Sequence, residues 1–180
     1  SVALGFLVLV LSDFVGNKLT GDEIYAAFFS GEDSDFCRLN QSKVRQAGSV
    51  NQLSVTIQLI NNNKQVSGHL TLSTERKEDE LRIIDMLATL RGQIHKVPED
   101  PHLLYAEEVH SSETVHQNKL PSAHEVIAHV REAAGSSDLV GILAQGGVYR
   151  GFANSFGQRN WYENYNFNFD YSIYLRADKA

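Results

Sequence analysis

Close to the C-terminal end lies a run that few architectures can use: Gly146-Gly147-Val148-Tyr149-Arg150-Gly151-Phe152-Ala153-Asn154-Ser155-Phe156-Gly157-Gln158-Arg159-Asn160-Trp161. It holds four glycines, two arginines, three amide side chains and the only tryptophan of the chain. Residues 162–176 then alternate strictly. Tyr165, Phe167, Phe169, Tyr171, Ile173 and Leu175 share one face, while Asn166, Asn168, Asp170, Ser172 and Tyr174 share the other. A period of two defines a strand, and a strand must find a sheet. The glycine-rich prelude reads as a turn-rich surface carried on that strand, where binding groups tend to sit. With no P-loop, dinucleotide fingerprint or Gly-x-Ser-x-Gly elbow, its glycines read as turn-makers rather than a phosphate cradle.

Further strands precede it. Ile24 to Phe29 is one, closed by an acidic loop from Ser30 to Asp35; Phe36 to Asn40 and Lys43 to Gln46 are two short ones. Val50 to Ile60 places Leu53, Val55, Ile57 and Leu59 on one side. Asn61-Asn62-Asn63-Lys64 turns the chain, because asparagine tolerates the left-handed conformation of tight hairpins, and Val66 to Leu72 is the partner strand. Asp138 to Ala144 leads into the glycine-rich run.

Two segments carry helical periodicity. From Glu75 to Arg91, Leu81, Ile84, Leu87 and Ala88 recur at spacings of three and four, acids cluster at the start, and Gly92 suits a C-terminal cap. From Ala123 to Ala134 the apolar positions are Val126, Ile127, Val130, Ala133 and Ala134, with Gly135 as terminator. Between them the pattern dissolves from Gln93 to Leu120, the best candidate for a mobile or functional loop. The apolar opening from Val2 to Leu11 is too short to span a bilayer and is expected to be buried, as helix or strand. Gly16-Asn17 and Gly21-Asp22 mark turns. The fold class is therefore α+β: a single domain over residues 1–180, with a largely antiparallel, curved sheet and two main helices packed on it.

Composition narrows the partners. The net charge of −6 is spread evenly, each half carrying 8 basic and 11 acidic residues. Without a basic patch, phosphate neutralisation and direct nucleic-acid binding are disfavoured. The single cysteine, Cys37, rules out an intrachain disulfide and reads as a small buried hydrophobe in a reducing, cytoplasmic setting. No membrane association is expected.

The most suggestive chemical string is His124-Glu125-Val126-Ile127-Ala128-His129. Histidine pairs with a glutamate on a helix hold catalytic zinc in some peptidases. A separation of five turns the two imidazoles about 140° apart on a regular helix, however. Ser122-x-x-Glu125 is also a capping box, which gives Glu125 a structural role. A self-contained metal hydrolase using His124, Glu125 and His129 is thus the alternative reading, and no metal or catalytic group is assigned. The acidic residues Glu32, Asp33 and Asp35 lack the EF-hand spacing. Arg150, Asn154, Gln158, Arg159 and Asn160 suit either a peptide or subunit contact or a turn satisfied by its own amides.

The glycine-rich run, together with Phe167-Asn168-Phe169-Asp170-Tyr171-Ser172, resembles the N-terminal domain of the TldD/PmbA family. Ser30 to Phe36, Arg38-Leu39-Asn40 and Lys43 to Gly48 are similar to the family's early β-segment, so the resemblance covers roughly residues 24 to 180. The family carries two labels, modulator of DNA gyrase and zinc-dependent peptidase of peptide maturation. Its active members bear H-E-x-x-x-H in a later part of a chain more than twice this length, and others lack the motif and act as partner subunits. The resemblance implies a non-catalytic N-terminal domain, a fragment of a longer protein, that shapes a substrate cleft and a subunit contact. It implies a peptide substrate, a homo- or hetero-dimeric partner of the same family, and zinc only downstream.

Overall fold

A computed structural model describes residues 2–175; Arg176, which the alternation included, lies outside them. The elements run α1 (Val2–Lys18), β1 (Ile24–Asn40), β2 (Lys43–Asn61), β3 (Lys64–Leu72), α2 (Arg76–Ile94), β4 (Ser112–Val115), α3 (Ala123–Ala134), β5 (Asp138–Asn154) and β6 (Arg159–Tyr174). The strands hydrogen-bond in the order β3-β2-β1-β5-β6-β4. The sheet is mostly antiparallel, and the class is α+β. Among the described residues two compact units emerge: residues 2–31, 52–115 and 149–163 form the first, and residues 32–51, 116–148 and 164–175 the second. No helix among the described residues is long and apolar enough to cross a membrane.

In the first unit, the hairpin has the expected register, with Asn61 opposite Lys64 and Leu53 opposite Leu72. Asn62 and Asn63 adopt φ of 49° and 57°, the left-handed region that asparagine tolerates. Leu53, Val55, Ile57 and Leu59 are buried and meet Val8, Leu11 and Val15 of α1 and Ile83, Leu87 and Leu90 of α2 in one core. The apolar opening is thus a helix, and it continues through Gly16-Asn17 rather than turning there. The Gly21-Asp22 turn is present.

Helix α2 corrects the expected face. Its buried stripe is Asp79, Ile83, Leu87, Leu90 and Ile94, while Leu81 and Ile84 are exposed. Both stripes recur every three or four residues, and only the one containing an acid faces inward. Asp79 is completely buried because it terminates β3. Its Oδ1 accepts from the Ser73 amide at 2.8 Å and the Ser73 hydroxyl at 3.0 Å, and its Oδ2 accepts from the Thr74 amide at 3.0 Å. The helix also runs past Gly92, and His95 is its cap.

The start of α2's neighbour segment is tied by charge. Arg91 donates from Nε and Nη2 to the two carboxylate oxygens of Glu23, at 2.8 and 2.9 Å, and from Nη2 to the Lys18 carbonyl at 2.6 Å. Hydrogen bonding from Arg91 holds the Glu23 carboxyl below its ordinary value of 4.5. A carboxyl with a depressed pKa in the folded state stabilises fully above its unfolded pKa, and that contribution is lost as pH falls through the folded value. Glu23→Gln is expected to cost about 1–2 kcal/mol at pH 7, the scale of a charge-assisted hydrogen bond. The deficit relative to wild type should shrink below about pH 4. Thermal unfolding of both proteins between pH 7 and pH 3 checks this; parallel pH profiles would refute it.

The second unit corrects the reading of the acidic loop. Residues 30–35 lie inside β1, which is continuous for 17 residues, and the segments at 43–46 and 50–60 are one strand, β2. Local chemistry compensates the polar residues: the Ser34 hydroxyl donates to Glu32, and the Ser49 hydroxyl to Asp35. Helix α3 caps as expected, with the Ser122 hydroxyl accepting from the Glu125 amide at 3.2 Å and the Glu125 carboxylate accepting from the Ser122 amide at 2.9 Å. Gly135 closes the helix at φ 53°. Cys37, Leu39, Ala134, Leu139 and Leu143 form this unit's core, with Val126, Ile127, Val130 and Phe169 packed against it.

Candidate functional site

The glycine-rich run is mostly strand. Gly146, Gly147 and Gly151 lie within β5, and only Gly157, at φ 94°, serves the turn between β5 and β6. Gly146 and Gly151 allow close approach rather than turning. A Cβ on Gly151 would stand 3.2 Å from Phe29 and Val8 and 3.3 Å from Trp161.

Four of the five residues singled out from the sequence meet at that turn. Asn154 is 4% exposed. Its Oδ1 accepts from the amides of Phe156 and Gln158, at 3.0 and 3.1 Å, and its Nδ2 donates to the Ala106 carbonyl at 3.3 Å. Arg159 donates from Nη1 to the carbonyls of Asn154 and Gln158, at 2.9 and 2.7 Å, and from Nη2 to Asp13 at 3.1 Å. Gln158 donates to Asn160 at 2.8 Å, and Asn160 donates to the His110 carbonyl and the Ser112 hydroxyl, at 2.9 and 2.8 Å. This network secures the turn and clamps the long connection onto it. Arg150 stands apart, exposed, with Nη1 on the Tyr149 carbonyl at 2.8 Å.

The clamp has a consequence that the sequence pattern did not announce. Within the connection from Gln93 to Leu120, β4 forms and pairs in parallel with β6, Ser112 opposite Asn160 and Val115 opposite Glu163. A cleft of 520 Å³ opens among α1, β4 and the start of β6, within the first unit. Phe6 and Leu9 of α1, Phe152 of β5 and Trp161 of β6 give it aromatic and aliphatic walls. Trp161 stacks on Tyr149 with ring centres 6.0 Å apart. Gly5 of α1 faces the indole, and a Cβ there would stand 3.4 Å from the indole nitrogen, an ordinary contact distance. Arg159 and Asn160 reach this cleft, and Glu113 and Glu163 also line it. The residues missed from sequence had one visible signal: α1 is apolar on every side, so a face of it had to meet something besides the core.

The histidine string gathers little. His124, Glu125 and His129 are exposed on α3, and hydrogen bonds from Ser122 hold the Glu125 carboxyl low while engaging it in the cap. Among the described residues no three His, Cys, Asp or Glu side chains group as metal ligands would. Cys37 is 2% exposed, and burial pushes its thiol up, so it behaves as the small hydrophobe expected.

The class that this architecture defines is an α+β fold whose first unit carries a cleft beside α1. No protein-family model and no curated protein matches the sequence. Solved structures do match the fold. TldE from Thermococcus kodakarensis superposes with a TM-score of 0.58 at 13% identity, over 96% of this chain and 44% of its own. A proposed modulator of DNA gyrase from Bacteroides thetaiotaomicron gives 0.61 at 14%, over 96% and 41%. Another from Thermotoga maritima gives 0.53 at 12%, over 88% and 40%. The chain has the fold of part of these TldD/PmbA-type structures and spans less than half the length of each.

Proposed function

We propose that this chain is the non-catalytic N-terminal part of a TldD/PmbA-type peptidase acting in peptide maturation, where it shapes the substrate cleft and the contact between subunits. The observation that carries this reading is the fold match, which takes in 96% of this chain but only 44% of TldE. On this reading the protein is cytoplasmic, handles peptides, pairs with a family member, and has its zinc in another part of the molecule. Arg150, the one selected residue not consumed by the turn, is the candidate for the contact; Asn154, Gln158, Arg159 and Asn160 hold the cleft's rim.

The 180-residue chain, supplied with zinc, should hydrolyse no peptide. Chelator-sensitive cleavage abolished by His124→Ala would replace this reading with the self-contained hydrolase. In the longer protein, Arg150→Ala should weaken peptide processing or dimerisation, and unchanged values of both would count against it. The names of two structural neighbours favour a second reading, binding to DNA gyrase, which retention of gyrase by the immobilised chain would support.

A further inference from the structure

Strand β6 has a bare edge in the second unit. β4 pairs with β6 only from Asn160 to Glu163, and among the described residues no strand lies beyond the rest of it, since β5 takes the other side. From Asn166 to Ile173 one row of backbone N–H and C=O groups is thus left without a ladder partner. The stretch is exposed throughout, apart from the half-buried Phe169, and Phe167, Tyr171 and Ile173 are 65%, 54% and 47% exposed. Sheets ordinarily guard such an edge with lysine, proline, a bulge or brevity. The unit's other open edge is guarded: β3 opposes β2 only from Leu53 onward, and residues 43–51 carry Lys43, Arg45 and Gly48. Asn166 to Ile173 has no lysine, arginine, proline or glycine, and a single charge, Asp170. An edge so long and so unguarded is a template for another strand.

We propose that this edge pairs with the same edge of a second copy of the chain, antiparallel, about a two-fold axis at Phe169. The sequence of the strand is self-complementary in that register. On the polar face Asn168 stands opposite Asp170 of the partner subunit, so the single carboxylate of each copy meets an amide donor. On the other face Phe167 stands opposite the partner's Tyr171, and aromatic surface is covered from both sides. Tyr171 is already fixed for this by stacking on Phe169, with ring centres 4.8 Å apart. An axis one residue further on, at Asp170, would set the two carboxylates opposite each other, where like charges repel. The assembly closes at two copies, because an isologous contact consumes the same edge on both. This inference goes beyond the peptidase reading: it concerns the association of the chain with itself, and it holds or fails whatever the chain processes.

Sedimentation equilibrium of the 180-residue chain should give twice the monomer mass at about 100 μM, a concentration that populates even micromolar association. Phe167→Lys installs an edge guard at an exposed position and should leave a monomer. Leu104→Glu, at a residue 92% exposed in the other unit, should leave the dimer unchanged and so separates edge pairing from general stickiness. Position 168 reads the register. Asn168→Asp sets two like-charge pairs across the axis and should weaken the dimer about fivefold or more, whereas Asn168→Lys faces Asp170 of the partner subunit and should hold or tighten it. Far-ultraviolet circular dichroism checks the folding of each variant, and the two exposed substitutions at Asn168 carry the test if Phe167→Lys does not fold. A chain that stays monomeric at about 100 μM would leave the edge to another segment or partner and overturn the proposal. A dimer indifferent to folded Phe167→Lys, oligomers that grow past two copies, or equal weakening by Asn168→Lys and Asn168→Asp would overturn it as well.

Discussion

Gly146→Ala is expected to destabilise the protein by about 3 kcal/mol or more, at the upper end of what overpacking costs. A Cβ at this position of β5 would stand 2.2 Å from the Asp33 carbonyl oxygen and 2.5 Å from the Ser34 Cα. Both are backbone atoms of β1, so no rotamer change relieves the clash, and the two strands must part. The backbone at Gly146, with φ 154°, adds strain for any L side chain. Parting the strands also strips ladder hydrogen bonds from the middle of the sheet. For a chain of this size the loss corresponds to a drop in Tm of about 6–12 °C. Gly157→Ala is the control: its Cβ meets nothing within 4 Å, and only its left-handed turn conformation is strained, so its drop should be smaller. A Gly146→Ala protein that melts within about 2 °C of wild type would show that the strands do not approach this closely.

Asp79→Ala should cost about 2–4 kcal/mol, and the reason is again something other than hydrophobic burial. Removing the carboxylate, itself completely buried, leaves the amides of the exposed residues Ser73 and Thr74 without their acceptor, and each lost hydrogen bond to a charged group carries about 1.5–3 kcal/mol before water takes its place. Thr74 sits at φ 69°, an unfavourable conformation for a β-branched residue that these bonds hold in place. Arg82 Nη1 also lies 3.7 Å from Asp79 Oδ1. Asp79→Asn keeps one acceptor and should recover about half of the loss. Denaturant midpoints of the two variants decide the matter: if the alanine protein is no less stable than the asparagine protein, the β3–α2 corner does not depend on this side chain.

These two residues show where sequence reading succeeds and where it stops. The hairpin of β2 and β3 is readable because its determinants are local: alternation sets the faces, and asparagines supply the left-handed turn. The capping box of α3 is equally local, since Ser122 and Glu125 satisfy each other three residues apart. Asp79, in contrast, looks from the sequence like any acid near a helix start. It turns inward because β3 ends beside it, and with it the buried stripe of α2 shifts from Leu81 and Ile84 to Ile83, Leu90 and Ile94. Glycines at 146, 147 and 151 look like turns for the same reason, as spacing alone cannot tell a bend from a strand, and at 146 and 151 from a strand that neighbours approach closely.

The sequence by itself determined the α+β class, the hairpin, the second and third helices, the burial of Cys37 and the likeness to TldD/PmbA-type folds. The class, the hairpin and the helices rest on interactions within a few residues or on side-chain periodicity; the burial of Cys37 rests on its residue type, and the likeness on the resemblance of the glycine-rich run and the segments quoted with it. Only the tertiary structure decided that the acidic segment from Ser30 to Asp35 is strand, that β4 forms within the long connection, and that Trp161, Phe6, Glu113 and Glu163 share one cleft. Those outcomes depend on partners distant in the chain: β4 exists because Asn160 and Gln158 reach back to residues 110–112. A hydrogen bond across some fifty residues leaves no period in the sequence, because what selects the partner is the free energy of pairing a whole edge strand.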